Sequence, residues 1–156
     1  MPVLGLEQFA RESYAARDEV IELTRRGFGS VVAFAYREVI TLSPVADPDQ
    51  PGAGRLRASW TAARGAPNEV FAQLPSVGSQ LAPPDEAAIQ AVAASVQLGD
   101  EVWITNGSPC VSTVNDRTSF VDQAITATES KAEEIAQQLS NRDVSGLGAI
   151  ARQAAE

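Results

Sequence analysis

Any chemistry in this chain has to be done without histidine, which is absent from all 156 residues. That removes the commonest general base and metal ligand. With it go a Ser-His-Asp triad, a Cys-His pair and every histidine-based zinc site. The single thiol, Cys110, has no basic neighbour to draw it toward a nucleophilic thiolate, and it reads as a half-buried thiol on a strand. Gly52-Ala53-Gly54 followed by Arg55 and Arg57 comes nearest to a phosphate-cradling loop. Such a loop needs a strand before it and a helix after it. Here a helix precedes and a strand is expected to follow, so the glycines are assigned to a turn.

Asp47 and Asp49 offer oxygen ligands to a hard cation. A calcium loop needs more acidic positions and a closing glutamate, so this pair reads as a solvated loop. Asp85 with Glu86, and Asp100 with Glu101, fall at element boundaries, where capping and solvation account for them. Asn106-Gly107-Ser108 fits the glycosylation sequon but is assigned to a tight turn. The expectation is a protein with no catalytic residues, no cofactor and no metal, and not an enzyme.

The elements that position these residues follow from composition and periodicity. Hydrophobic residues make up 44% of the chain, enough for one buried core. No apolar run approaches the ~18 residues of a membrane span, and the longest, Val31–Tyr36, is short. No secretory signal is visible at Met1–Gly5, and a lone cysteine suits a reducing cytoplasm. Twelve basic residues against twenty acidic ones, a net charge of -8, argue against broad DNA binding. A local basic patch remains available at Arg25, Arg26, Arg55, Arg57 and Arg64.

Val20, Leu23, Gly27, Val31 and Phe34 recur at steps of three and four, which predicts a long first helix from about Glu7 to Thr41. Gly27 and Gly29 read as a packing notch, and Pro44 ends the helix. Residues 46–54 read as a loop. From Arg55 to Ala63 apolar residues alternate with others, predicting a strand, and Val70–Leu74 is a weaker strand candidate. Asp85 is the expected N-cap of a helix reaching about Gln97, which Gly99 stops. Glu101–Thr105 is a strand, Asn106-Gly107 turns it, and Cys110–Val114 can return as its partner.

Ser119 with Asp122 resembles a capping box and opens the last helix. Its seam is Val121, Ile125, Thr128, Ala132, Ile135 and Leu139, expected to pack on the first helix or the sheet. Trp60 and Trp103 are both assigned to the core, with exposure of either marking an interface. The fold class is α+β: a small antiparallel or mixed curved sheet packed against a long N-terminal helix and a C-terminal helix, with a shorter central helix. One domain spans 1–140, and 141–156 is a C-terminal tail, flexible or packed on a neighbouring subunit.

The order of two motif-bearing segments resembles the neck and tail-completion proteins of long-tailed bacteriophages, tail-terminator-like proteins included. Ser43-Pro44-Val45 followed by Gly54-Arg55-Leu56-Arg57-Ala58-Ser59-Trp60 matches that family's turn and Arg-hydrophobic-Arg-x-x-Trp entry into a strand. The turn here is expanded by Ala46–Ala53. Gly99-Asp100, Val102-Trp103-Ile104-Thr105-Asn106, Pro109 and Asn115-Asp116 match the later pattern, while Cys110 stands for an aromatic and Arg117 for a glycine.

The resemblance implies a structural virion subunit that forms a ring, typically a hexamer, at the head-proximal end of the tail. Its partners would be further copies of itself, the tail-tube protein and the head-side connector. DNA would pass without sequence-specific binding, and no membrane is involved. The alternatives are another virion subunit such as a tail-tube protein, or a small ligand-binding domain or enzyme. The residues assigned to subunit or partner contacts are Asp47, Asp49, Gly54, Arg55 and Arg57 in one loop region, and Asn106, Gly107 and Pro109 in the other.

Overall fold

A computed structural model describes residues 4–45, 53–73 and 81–141. The fold is α+β and mostly helical. In chain order the elements are α1 (Leu4–Leu42), α2 (Arg55–Ala58), β1 (Trp60–Arg64), α3 (Glu86–Ser95), β2 (Val102–Asn106), α4 (Val111–Thr118) and α5 (Phe120–Asn141). The expected tail at 141–156 lies outside the described residues, except that Asn141 closes α5.

α1 is the axis of the molecule, and α5 and α3 pack along it. The two expected notch glycines explain how. An added Cβ at Gly29 would lie 2.6 Å from the carbonyl oxygen of Ala93 in α3. That is backbone, which cannot step aside, so α3 approaches α1 only because position 29 has no side chain. Gly27 faces α5 instead, where a Cβ would meet the side-chain tips of Leu139 and Ile135 at 3.0 and 3.1 Å. The α5 seam is partly as expected: Val121, Thr128, Ala132, Ile135 and Leu139 are half-buried. Ile125 is exposed, and Phe120 and Ala124 are the residues that enter the core.

The sheet has two antiparallel strands, with Trp60 opposite Asn106 and Arg64 opposite Val102. Trp60, Ala62 and Ile104 sit on its core face. Tyr36, Val39 and Ile40 from α1, Leu56, Ile89, Ala93, Phe120 and Ala124 complete that core. Trp60 is the hinge of the packing. Its ring meets Phe120 edge-on at 6.3 Å, and its Nε1 donates to Ser43 Oγ at 2.7 Å. Its carbonyl accepts from Tyr36 Oη at 3.0 Å. Burial pushes the Tyr36 phenol above its ordinary pKa.

Five sequence expectations are corrected. The strand starts at Trp60, because residues 55–58 form a helical turn after Gly54 in the left-handed region, φ 79°. Ser59 closes that turn by donating from its Oγ to Arg55 O at 2.7 Å. Val70–Gln73 is not a strand: Ala72 N bonds to the Ser59 side chain, while Thr61 and Thr105 hold Asn68 O, so side chains replace a ladder. Leu74 lies outside the described residues.

Cys110–Val114 does not return beside β2 but opens α4, with Cys110 exposed at the N-cap. Asn106 turns the chain away from β2 by accepting Ser108 N on its own side chain at 2.9 Å, and Pro109, which has no N–H to give a ladder, stands just before the N-cap. Ser119 cannot cap α5, since it sits at φ 51° as the C-cap of α4 and an N-cap needs extended backbone. Asn115 does the work, its Oδ1 accepting Val121 N at 2.9 Å and its Nδ2 donating to Asp122 at 3.2 Å. Trp103, finally, is on the outer face and 38% exposed.

Candidate functional site

Six of the eight residues assigned to contacts are described: Gly54, Arg55 and Pro109 line one groove, Asn106 and Gly107 lie at the joint of its two segments, and Arg57 turns away. Asp47 and Asp49 lie outside the described residues. The joint between the two segments is Asn106, whose Nδ2 donates to Leu56 O at 2.8 Å across 50 residues of sequence. Gly107 lies against Val70 and Phe71, where a Cβ would be 2.6 Å from the Val70 carbonyl. Gly54 lies equally close to Leu81, whose carbonyl oxygen would be 2.6 Å from an added Cβ. Both glycines are there because another backbone passes through the space a side chain would need.

Between the two segments runs a groove of about 500 Å³, walled by Pro44, Val45 and Leu56 on one side and by Pro109, Cys110 and Val114 on the other. Phe71 and Arg55 complete it. The Arg55 guanidinium lies 4.8 Å from the centre of the Phe71 ring, a cation–π stack. Its Nε is buried and donates to no group among the described residues. A buried donor without an acceptor costs about 1–3 kcal/mol, more when charged, so Arg55 favours an incoming oxygen. The groove offers an apolar wall with one cation set into it, the chemistry of a docking surface.

Arg57 has a different role. It leaves the groove and donates to Ser43 O at 2.8 Å and Thr41 O at 3.0 Å, closing the carbonyl end of α1. The expected basic patch is dispersed in the same way. Arg64 donates to Ser95 O at 2.7 Å and Arg25 to Ala94 O at 3.3 Å, so both cap α3 from outside. Neither α1 nor α3 has a basic residue in its own last turn, and cations from other elements meet the negative ends of both helices.

A second cleft, of about 490 Å³, has Arg25, Arg26, Arg37 and Lys131 along it. Its cations are neutralised in place: Arg25 and Arg26 by Glu22, Arg37 by Glu86 and Lys131 by Glu134. Hydrogen bonds from Arg25 and then Arg26 hold the Glu22 carboxyl down at about 2, against an ordinary 4.5. Arg37 lowers Glu86, the Gln97 amide and then Arg64 lower Asp100, and Lys131 lowers Glu134.

Each of these groups is more acidic folded than unfolded. For Glu22 the contribution is therefore complete above about 4.5 and is lost as pH falls toward about 2, and the other three contribute in the same direction. The melting temperature should be flat near neutrality and drop through that window, and Glu22→Gln should make the acid limb shallower. High salt should shrink the effect, because these carboxylates are exposed. An unchanged acid limb in Glu22→Gln would remove this pair from the account.

Among the described residues no cluster of three or more His, Cys, Asp or Glu could hold a metal ion, and no helix is long and apolar enough to cross a membrane. Comparison of the chain with protein-family models, with curated proteins and with solved structures finds no match.

Proposed function

We propose that this chain is a structural subunit of the neck of a long-tailed bacteriophage. It would form a ring at the head-proximal end of the tail and join the tail-tube protein to the head-side connector. One observation carries the reading. The two segments with family-like motifs, Gly54–Trp60 and Val102–Pro109, are joined by the Asn106 to Leu56 hydrogen bond, and Gly54, Arg55, Ser108 and Pro109 from both of them line one groove. Motifs that are structural rather than catalytic gain a purpose when they shape one contact face. The outward Trp103 adds a large apolar side chain of the kind enriched at interfaces. A net charge of -8 suits a channel wall along which DNA slides without sticking.

The test is the mass of the purified protein in solution, by light scattering over a range of concentrations, with and without tail-tube protein. The expected result is a discrete ring, either alone or formed on the tube end. Open-ended tubes would instead favour a tail-tube subunit. A monomer indifferent to tail components would overturn the proposal.

A further inference from the structure

The line of α1 residues that receives α5 runs on past the point where α5 stops. Gly27 faces Ile135 and Leu139, near the end of α5 at Asn141. From Gly27 toward the amino terminus, Leu23, Val20, Ala16, Ser13, Phe9 and Leu6 follow at steps of 4, 3, 4, 3, 4 and 3. At 100° per residue they keep within an arc of about 100°. Every charged residue between Leu6 and Gly27 falls outside that arc. A charge-free line at this spacing is what one helix presents to another. Yet Leu6, Phe9 and Val20 are between 41% and 69% exposed.

The direction of α5 points to an occupant. Its first residue, Phe120, shares the core with Tyr36, and its last turns lie at Gly27, so the chain leaves Asn141 heading along this line. Residues 142–156 lie outside the described residues, but their sequence carries the matching pattern. Val144, Leu147, Ala151 and Ala154 follow at steps of 3, 4 and 3. With Ile150 they fall within an arc of about 120° at 100° per residue, and Arg152 and Glu156 fall outside it. Carried on from the α5 register, Val144 comes level with Val20, Leu147 with Ala16, Ala151 with Ser13 and Ala154 with Phe9. At three of these four levels a large side chain meets a small one, as interdigitating layers require.

We infer that residues 144–154 form a short helix on the Leu6–Leu23 line of their own α1, prolonging the α5 contact to the amino-terminal end. Their apolar arc is centred about 80° round from the α5 seam, so the chain turns after Asn141 before the second helix begins. Gly146 and Gly148 lower the segment's own helix propensity, so its order depends on the surface it meets. The contact lies within one chain and does not rest on the ring reading.

The test is cross-linking in the full chain carrying Cys110→Ser, which removes the sole native thiol. One variant adds Val20→Cys with Val144→Cys, and another adds Phe9→Cys with Ala154→Cys. Phe9 and Val20 are exposed, so neither change opens the core. Under mild oxidation at least one pair should lose both free thiols while keeping monomer mass, since a disulfide requires Cα atoms within about 7 Å. The control, Asp18→Cys with Val144→Cys, has its α1 thiol at nearly the same level on the opposite side of the helix. It should link at least tenfold more slowly. Equal rates would mean that the segment is not held on this line, and would overturn the inference. Linkage only as a disulfide dimer would place the segment on a second copy and overturn it too, as would the absence of linkage in both matched pairs.

Discussion

Trp60→Ala should cost about 3–5 kcal/mol, the range for deleting a large aromatic side chain from a core. That is a large part of the ~5–15 kcal/mol that holds a typical domain folded. Trp60 is 5% exposed, and it ties together four elements. Its ring edge packs on Phe120 of α5, its indole nitrogen bonds to Ser43 beyond α1, and its backbone pairs β1 with β2. The cavity left behind is lined by α1, α5 and the sheet, none of which can collapse inward without giving up its other contacts.

Trp60→Phe should cost less, about 1–2 kcal/mol, since a ring is kept and one net hydrogen bond is lost. Ser43 Oγ still donates to Val39 O at 2.5 Å, so no hydroxyl is orphaned. Chemical denaturation measures both. With Trp60 gone, the remaining fluorescence comes from Trp103 alone, which is partly in water already, so the emission shift on unfolding should nearly vanish. A Trp60→Ala midpoint equal to that of the parent would mean the core is not organised around this residue.

Gly54→Ala should be the most damaging change of a single hydrogen to a methyl. Two costs coincide there. The backbone is at φ 79°, where a side chain costs roughly 1–2 kcal/mol. The new Cβ would also stand 2.6 Å from Leu81 O, an overpacking worth typically about 1–3 kcal/mol. Gly65 is the internal control: its φ is 76°, but no atom lies within 4 Å of the Cβ position. Gly65→Ala should show the conformational cost alone, and the difference in melting temperature between the two variants isolates the clash. Equal destabilisation would show that the loop at Gly54 moves away freely, which would also weaken the case for a preformed groove beside it.

The surface built by Gly54, Arg55, Asn106, Gly107 and Pro109 was legible in part. Glycine next to turn residues is a local signal, and both segments were recognisable as turns feeding ordered elements. That the turns share one face is a fact about Asn106 Nδ2 and Leu56 O, groups 50 residues apart. Arg57 shows the limit from the other side. It shares a turn with Arg55, yet one arginine opens toward the groove and the other caps α1, because the helical turn at 55–58 rotates them apart.

By itself the sequence determined the features that are local in the chain. The long periodic run could only be an amphipathic helix, Pro44 had to end it, Asp85 had the side chain to cap α3, and its Oδ1 accepts Ala88 N at 2.8 Å. The absence of histidine is likewise a property of the chain alone. Tertiary structure decided what depends on distant partners. Residues 55–58 alternate like a strand, yet they coil, with Leu56 O held by Asn106 from 50 residues away and Arg57 reaching back to Ser43 O and Thr41 O. Trp60 and Trp103 read alike in sequence, but antiparallel pairing puts them on opposite faces of the sheet, one against the core and the other crossed only at Thr61 and Thr105 by the segment at Asn68. Periodicity says which residues share a face; only the packing of α1, α3 and α5 says which face is left for a partner.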